Sequence, residues 1–270
     1  MALFPNSKTV ISFGPLSIQW YAICIIVGAY IAYLIAARTF KKRGYNAEIL
    51  SDYFFGVLLV GVVGARIWYV IFMFNEIYRY DLMGIFNIRN GGLAIQGGII
   101  AGLIYSWSFF KRKKIAFLEA GDAILPGVLL AQALGRWGNF FNQEAYGNVV
   151  SLEHLRNLYI PEIIIRRMHI MGHYYQPTFL YESVLNVIGF LLIYFLIRKF
   201  QRKQGTLFYS YFIWYGITRF WVEGMRSDSL FFLGLKMAQI TSVAFVIVGV
   251  VGCVWCYQKG RTIQNRRQYK

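Results

Sequence analysis

Seven long apolar segments, separated by more polar stretches, constrain this chain more than any other feature of its sequence. They lie at about residues 18–37, 53–74, 93–110, 119–141, 179–197, 206–222 and 237–257. Each is close to the roughly 20 apolar residues that a helix needs to cross a bilayer. Because only helices and closed barrels satisfy every backbone polar group in hydrocarbon, we predict an all-α, polytopic membrane protein with seven transmembrane helices.

The lysines and arginines predict which ends of these helices face the cytoplasm. The net charge is +16, from 28 Lys and Arg against 12 Asp and Glu. Many basic residues cluster beside the apolar segments: Arg38, Lys41, Lys42 and Arg43; Lys111, Arg112, Lys113 and Lys114; Arg198, Lys199, Arg202 and Lys203; Lys259, Arg261, Arg266, Arg267 and Lys270. Cytoplasmic loops carry an excess of Lys and Arg, so we predict an external N-terminus and a cytoplasmic C-terminus. Because 17 of the 28 Lys and Arg lie in such flanks, the positive charge does not indicate a nucleic-acid partner.

The composition agrees with a membrane protein, and the chain organisation predicts one domain. Hydrophobic residues make up 57% of the chain and charged residues only 15%, a balance that a soluble domain of this size does not need. The sequence has no evident internal repeat or linker, so we expect a single transmembrane domain over residues 1–270. The external loop at about residues 143–178 is long, which makes it a candidate for a small cap over a site.

The cysteines and histidines predict neither a disulfide framework nor a metal site. Cys24, Cys253 and Cys256 all lie in apolar segments. The Cys253–Cys256 spacing matches half of a redox or zinc motif, but no second pair accompanies it. His169 and His173 could share a helical face, yet no third ligand lies near them in the sequence.

Several charged residues lie within the apolar segments or at their ends. A charge at the bilayer centre costs about 2.5–3.5 kcal/mol on insertion scales, so such residues normally pair, face a cavity or serve a function. They are Arg66, Asp122, Arg136, Glu182, Arg219, Glu223 and Arg226.

The sixth segment places a polar stripe on one helical face. The stripe consists of Tyr215, Arg219, Glu223 and Arg226, spaced four, four and three residues apart. Side chains at such spacings are neighbours on a helix, so Arg219 can pair with Glu223. A helix-packing ion network would have the same pattern, and this segment alone leaves that structural interpretation open.

The fourth segment repeats the pattern with Arg136 and Asn139, which share a helical face. The adjacent Gly135 and Gly138 would let another group approach the backbone closely. In the predicted topology the fourth and sixth helices both run outward, so Arg136 and Arg219 reach the same depth near the external surface. Because a planar guanidinium donates two parallel hydrogen bonds to a phosphodiester, the sequence predicts a lipid-headgroup site there.

Three separated motifs occur in order along the chain. They are Gly135-Arg136-Trp137-Gly138-Asn139-Phe140 with Glu144 and Gly147; Gln176-Pro177-Thr178-Phe179-Leu180-Tyr181-Glu182; and Arg219-Phe220 with Glu223, Arg226 and Asp228. With these motifs the chain resembles the prolipoprotein diacylglyceryl transferases, a family of bacterial membrane enzymes. The resemblance covers nearly the whole chain, from Gly14-Pro15 and Trp20-Tyr21 to the seventh segment. It implies transfer of the diacylglyceryl group of phosphatidylglycerol to the lipobox cysteine of a prolipoprotein, which forms a thioether and releases glycerol 1-phosphate.

The resemblance also implies the site, the partners and the location. Its functional residues carry over to Tyr21, Arg136, Asn139, Glu144, Gly147, Tyr215, Arg219, Glu223 and Arg226. It implies no metal and no cofactor, and its partners are phosphatidylglycerol, other membrane lipid and prolipoprotein signal peptides. We expect a monomer in the bacterial cytoplasmic membrane, with the active site on the external side.

One position departs from the family pattern. Many members carry a histidine where this chain has Gln96, in the glycine-rich start of the third segment. Glutamine does not accept a proton at neutral pH, so Gln96 can only form hydrogen bonds. We therefore expect Gln96 to orient the headgroup or the nucleophile and the general base to lie elsewhere.

The residues support a direct displacement mechanism as a hypothesis. Arg136 and Arg219 would bind the phosphate and stabilise the charge that develops as the C–O bond breaks. Glu144, Glu223 or Tyr21 could take the thiol proton, and the sequence does not choose among them.

Two other functions remain as alternatives. A transporter of an anionic lipid or an organic anion would use membrane arginines in the same way. Transporters often have repeated halves, which this sequence lacks. A purely structural or receptor-like seven-helix protein would give no reason for two arginine-bearing helices at one depth.

Overall fold

The computed structural model describes residues 2–3, 8–13, 16–88, 91–227, 229, 231–232 and 234–263. Outside these ranges lie Gly14, Pro15, Asp228, Arg266, Arg267 and Lys270, which were used above. The α-helices are α1 (Trp20–Lys42), α2 (Glu48–Phe72), α3 (Ile95–Arg112), α4 (Phe117–Asn142), α5 (Leu152–Asn157), α6 (Glu162–Arg167), α7 (Thr178–Leu191), α8 (Arg198–Phe200), α9 (Thr206–Met225) and α10 (Met237–Lys259). A π-helical stretch, Leu192–Ile197, joins α7 to α8, and short helices lie at Phe74–Tyr78 and Met83–Phe86. The strands are β1 (Ala2–Leu3), β2 (Thr9–Phe13), β3 (Leu16–Gln19), β4 (Val149–Val150), β5 (His169–Ile170), β6 (His173–Tyr175), β7 (Phe231–Phe232) and β8 (Leu235–Lys236).

Helices overlap all of the apolar segments that the sequence marks as spans. Within the described residues, five helices are long and apolar enough to cross a membrane: α1, α2, α4, the helical run Thr178–Phe200 and α10. The other two are more polar, since α3 ends in Lys111 and Arg112 and α9 carries Arg219 and Glu223. A helical membrane protein is therefore confirmed, whereas the count of seven crossings and their orientation stay predictions.

The chain forms two compact units. Among the described residues, those from 2 to 36 and from 121 to 263 make up the first, and those from 37 to 120 make up the second. In the first unit, α1 packs antiparallel against α4. A Cβ on Gly28 would lie 3.0 Å from the Ala131 backbone, and one on Gly127 would lie 3.0 Å from that of Ala32. Glycine at these two positions lets the helix backbones touch. The prediction of one domain over residues 1–270 stays a prediction.

Helices α7 and α9 pack with α4 around a buried apolar cluster. Its members are Leu129, Phe190, Ile193, Leu207 and Tyr211. The hydroxyl of Ser183 in α7 donates to the carbonyl of Ala133 in α4 at 3.0 Å. The indole of Trp214 in α9 donates to the carbonyl of Leu185 in α7 at 3.0 Å. Because α7 is antiparallel to both α4 and α9, its first turns lie beside their last turns.

The loop between α4 and α7 folds into a small subdomain rather than a plain connection. Its strands pair antiparallel in the order β4-β6-β5. Phe140 and Phe179, at the adjoining ends of α4 and α7, pack with Ile164 and Met168 of the loop. The short strands depart from the all-α prediction, because backbone groups in the loop need partners of their own. The histidines considered above, at positions 169 and 173, lie on paired strands and not on one helical face.

In the second unit, Arg66 of α2 holds the segment that follows this helix. Its buried guanidinium donates five hydrogen bonds of 2.6–3.0 Å. The acceptors are the carbonyl oxygens of Gly84, Ile85, Asn87, Gly91 and Gly92. A guanidinium has five N–H donors, so these carbonyls use the full set and leave none for a lipid phosphate. This membrane-embedded charge therefore has a structural role.

Replacing Arg66 by lysine should loosen the segment at residues 74–88. Lysine keeps the charge but offers three donors from one nitrogen, so at least two carbonyls lose a partner. The expected local loss is about 1–3 kcal/mol. Hydrogen–deuterium exchange should be faster there than in the unmodified protein. The control is Arg79→Lys, at an exposed position of the same segment, which should leave exchange unchanged. Unchanged protection in Arg66→Lys would contradict this structural role.

Candidate functional site

Three helices of the first unit bring four charged side chains together. Glu182 of α7 bridges the other two helices: its Oε1 lies 2.5 Å from Arg136 Nη2 of α4, and its Oε2 lies 3.3 Å from Arg219 Nη1 of α9. The second guanidinium also pairs along its own helix, where Arg219 Nη2 lies 2.6 Å from Glu223 Oε2. We call Arg136, Glu182, Arg219 and Glu223 the ion cluster.

The ion cluster is enclosed on its acidic side and partly open on its basic side. The Glu182 and Glu223 side chains are each 4% exposed, whereas Arg136 keeps 22% and Arg219 keeps 15%. The two positive and two negative charges balance, which offsets part of the penalty for burying them. The ion pairs engage one nitrogen of Arg136 and two of Arg219. Since each guanidinium has five N–H donors, both retain donors that these carboxylates do not engage.

These groups suit an anion better than a metal. In the described part of the chain, no three His, Cys, Asp or Glu side chains gather as metal ligands would. The two buried carboxylates, Glu182 and Glu223, are already paired with arginine. The guanidinium donors at the partly exposed side match the oxygens of a phosphate.

The structure brings together the two arginines that the sequence placed at one depth, and it does so through a residue that the predicted site omitted. Glu182 appeared in the sequence only as a charged membrane residue and as part of a motif. The feature of the sequence that could have predicted its role is its position near the start of an apolar segment. In the predicted topology that segment starts at the surface where the helices of Arg136 and Arg219 end. The pair of Arg219 and Glu223 occurs as predicted.

Tyr21, in the first turn of α1, lies against Gly138 of α4. A Cβ on Gly138 would come within 3.0 Å of three atoms of the Tyr21 ring. The neighbouring Trp20 stacks on Phe141, with ring centroids 4.9 Å apart. The close approach that the sequence allowed at Gly138 is thus made by this tyrosine. At Gly135 a Cβ would meet no described atom within 4 Å, so space remains there.

Asn139 and Glu144 contact each other at the end of α4. Asn139 Nδ2 donates to Glu144 Oε1 at 2.9 Å, and the Glu144 backbone N–H donates to the Asn139 carbonyl at 3.1 Å. On either side of Glu144, Gln143 and Ala145 have φ values of 53° and 56°, a left-handed conformation that is uncommon for such residues. Strain of this kind persists where the surrounding structure enforces it, often at functional sites. Glu144 is exposed, unlike the carboxylates of the ion cluster.

Gly147 and Arg226 meet through a backbone bridge where the loop crosses the end of α9. A Cβ on Gly147 would lie 3.0 Å from the Met225 carbonyl oxygen. Lys236, which the sequence did not single out, donates from Nζ to the carbonyls of Arg226 at 2.9 Å and of Glu223 at 2.8 Å. A cation there also complements the negative end of the helix. The close approach explains a glycine at position 147 without a ligand, so its lipid contact stays a prediction.

The last two predicted positions lie in different units. Tyr215 stands one turn before the α9 arginine and stacks on Tyr211, with ring centroids 5.8 Å apart. Gln96 is exposed in the first turn of α3, in the second unit. Beside it, a Cβ on Gly98 would lie 3.1 Å from the carbonyl oxygen of Gly61 in α2. Close packing of α3 against α2 therefore explains the glycine at position 98.

One arginine outside the helical core fixes the loop to the end of α4. Arg167 Nη2 donates to the Phe141 carbonyl at 2.5 Å, and Gln143 Nε2 donates to the Arg167 carbonyl at 2.8 Å. Burial lowers the pKa of Arg167. An arginine stays charged at neutral pH even so, because its ordinary pKa lies far above neutrality.

Comparison with known proteins adds an independent line of evidence. A family model described as prolipoprotein diacylglyceryl transferase matches residues 8–255 of the chain. A phosphatidylglycerol–prolipoprotein diacylglyceryl transferase from Halalkalibacterium halodurans is 40% identical over 265 residues, which covers 97% of this chain and 90% of that protein. The protein of the same name from Staphylococcus haemolyticus is 45% identical over 244 residues, or 90% of this chain and 86% of the relative. Its counterpart from Staphylococcus saprophyticus is 44% identical over 239 residues, or 88% and 85%.

Proposed function

The chain belongs to the prolipoprotein diacylglyceryl transferase family, and we propose that its ion cluster binds the phosphate of the lipid substrate. The enzyme transfers the diacylglyceryl group of phosphatidylglycerol to the lipobox cysteine of a prolipoprotein. The products are a thioether-linked lipoprotein precursor and glycerol 1-phosphate. One observation carries the proposal: Arg136 and Arg219, from two different helices, converge on the single carboxylate of Glu182.

Glu182 holds the two guanidiniums in position for the lipid. The phosphodiester carries one negative charge and accepts hydrogen bonds from the donors of Arg136 and Arg219 that the carboxylates do not engage. As the C–O bond breaks, a second negative charge develops on the departing phosphate. Fixed donors that face this charge bind the transition state more tightly than the ground state, which is how they accelerate the reaction.

The covalent step is a displacement at the glyceryl carbon that bears the phosphate. The cysteine sulfur attacks that carbon, a C–S bond forms, and the electron pair of the C–O bond leaves on the phosphate oxygen. The thiol proton passes to a base, for which Glu144, Glu223 and Tyr21 are candidates. Glu144 is exposed and can return the proton to water, whereas Glu223 is already paired with Arg219. These observations favour Glu144.

The other residues of the predicted site orient and shape it. Asn139 holds Glu144 through the 2.9 Å hydrogen bond. Gly147 and Arg226 join the loop to the end of α9, beside the ion cluster. Gln96 stays a predicted hydrogen-bonding residue, because its amide does not act as a base.

The proposal includes the orientation of the enzyme in the bacterial cytoplasmic membrane. Seven helices cross it, and the enzyme acts as a monomer. Basic residues stand in the last turns of α1, α3 and α10: Lys41, Lys42, Lys111, Arg112 and Lys259. Cytoplasmic flanks carry an excess of Lys and Arg, which supports a cytoplasmic position for these ends. The next helix after α3 then runs outward, so Arg136 near the end of α4 faces the external side.

An assay with purified protein tests the function. Protein in phosphatidylglycerol nanodiscs should add one diacylglyceryl group to a synthetic lipobox peptide and release an equal amount of glycerol 1-phosphate. Mass spectrometry measures both products. A peptide with serine in place of cysteine is the control and should stay unmodified, because a hydroxyl is the poorer nucleophile. Movement of lipid across the bilayer with no covalent product would instead support the transporter alternative. Membership of a transferase family does not favour that alternative.

A further inference from the structure

One fully buried amide near the ion cluster has no visible partner. Asn186 of α7 is 0% exposed, and among the described residues neither its Nδ2 nor its Oδ1 makes a hydrogen bond. Leaving a buried polar group unpaired costs about 1–3 kcal/mol. Native proteins rarely accept this cost, so such a group calls for a specific explanation.

The neighbouring helix α4 supplies a second amide at the same level. Glu182 meets Arg136 across antiparallel helices. Asn186 and Gln132 each lie four residues further from the cluster, which places them on the same faces and level with each other. Gln132 Nε2 donates to Tyr211 Oη at 3.0 Å, but within the described chain its buried Oε1 has no partner.

Helix α9 completes the layer. Glu182 also meets Arg219 across antiparallel helices, and Tyr215 precedes this arginine by one turn. Tyr215 therefore stands level with Asn186, and its ring stacks on that of Tyr211. We call Gln132, Asn186, Tyr211 and Tyr215 the polar layer. Gln132, Asn186 and Tyr215 lie one helical turn from the ion cluster, toward the middle of their helices, and Tyr211 lies one turn further along α9.

We propose that the polar layer binds an ester carbonyl of the lipid whose phosphate the ion cluster holds, with Asn186 Nδ2 as the donor. This inference rests on the proposed function. An ester carbonyl can only accept a hydrogen bond. The unpaired Oε1 of Gln132 is also an acceptor and cannot bind it, so the donor is Asn186 Nδ2. Four helical residues rise about 6 Å, a length comparable with the glycerol unit between the phosphate and the esters.

The order of the two sites agrees with the order of groups in a phospholipid. The ion cluster lies nearer the helix ends and the polar layer nearer the middle, as phosphates lie nearer the membrane surface than esters do. Exposure falls in the same direction, from 22% for the Arg136 side chain to 0% for Asn186. A lipid whose phosphate docks at the exposed end directs its esters toward the enclosed amide.

A comparison of two lipids tests the proposal. Dialkyl-ether phosphatidylglycerol keeps the phosphate and the glycerol unit but lacks the ester carbonyls. The unmodified enzyme should have a kcat/KM about five- to tenfold higher for the ester lipid, the effect of one lost hydrogen bond. Asn186→Leu removes the donor and should react with the two lipids at rates within about twofold of each other.

The matched control is Asn157→Leu, at an exposed position in α5, which should keep the preference for the ester lipid. Asn186→Ser retains a donor and should keep part of the preference, which provides a second variant if leucine disturbs folding. A buried water is the other occupant that such an amide attracts. In that case Asn186→Leu would slow both lipids equally and leave the preference intact, which would overturn the proposal.

Equal rates for the two lipids in the unmodified enzyme would overturn it as well. Absence of thioether product from the ester lipid would instead contradict the proposed function, and therefore this inference as well. The two failures are therefore distinguishable.

Discussion

Arg136→Ala is expected to lower kcat for thioether formation by about 10²–10³-fold, the usual effect of removing one fixed donor that faces developing charge. Arg136 Nη2 lies 2.5 Å from Glu182 Oε1, and its remaining N–H groups are the donors that we assign to the phosphate. Arg136→Lys should fall between alanine and the unmodified enzyme, since lysine keeps the charge but not the planar fork. Single-turnover transfer to a lipobox peptide would measure the chemical step directly.

The matched control for this experiment is Arg156→Ala. Arg156 also pairs with a glutamate, Glu162, at 3.0 Å, but the two side chains are 59% and 52% exposed. Exposed pairs contribute about 0–1 kcal/mol, so both turnover and melting temperature should stay close to those of the unmodified enzyme. Near-normal turnover in Arg136→Ala, in protein that is still folded, would refute the phosphate-binding role of the ion cluster.

Asp122→Ala is expected to lower the stability of the enzyme by about 3–5 kcal/mol, because it leaves several buried donors unpaired. Asp122 is 1% exposed and lies in α4. Its Oδ2 accepts from the backbone N–H of Gly205 at 2.7 Å and from Gln201 Nε2 at 2.6 Å, and its Oδ1 accepts from the Phe208 N–H at 2.8 Å. Gly205 is the N-cap residue of α9, so this carboxylate from another helix caps the helix that carries Arg219.

Thermal unfolding in detergent would measure the effect of Asp122→Ala. Asp122→Asn keeps one acceptor but presents an NH₂ group to the other donors, so it should have an intermediate melting temperature. Asp52→Asn is the control, since Asp52 is exposed on α2 and the same change there should have little effect. An unchanged melting temperature in Asp122→Ala would show that the cap contributes nothing to stability.

The long helices were predictable because the length of an apolar segment and its backbone requirements depend only on neighbouring residues. The helix ends were less predictable. Helix α2 begins at Glu48, whereas its apolar segment begins at about residue 53, and α1 continues to Lys42 beyond an apolar segment that ends at about residue 37. A helix continues into polar sequence wherever its own hydrogen bonds and the nearby contacts allow, and hydropathy does not report this.

Part of the candidate site was also predictable from the sequence. The stripe of Tyr215, Arg219 and Glu223 follows from helical spacing, and the Arg219–Glu223 pair is present. The bridging role of Glu182 did not follow, because it depends on how α7 is rotated toward α4 and α9. The role of Arg66 was not predictable either. Its five hydrogen-bond partners are all backbone carbonyls, and the residue types in a sequence do not indicate which backbone groups a side chain will contact.

Residue pattern alone was enough to identify a helical membrane protein of the diacylglyceryl transferase family and to select the arginines that are candidates for its chemistry. The packing of the helices was needed to reveal that Arg136 and Arg219 share one buried carboxylate and that an unpaired amide lies one turn away. The difference comes from how far along the chain each interaction acts. Apolar length and helical period are local properties of the chain, whereas hydrogen bonds and buried ion pairs act over about 3–4 Å between residues that are distant in sequence.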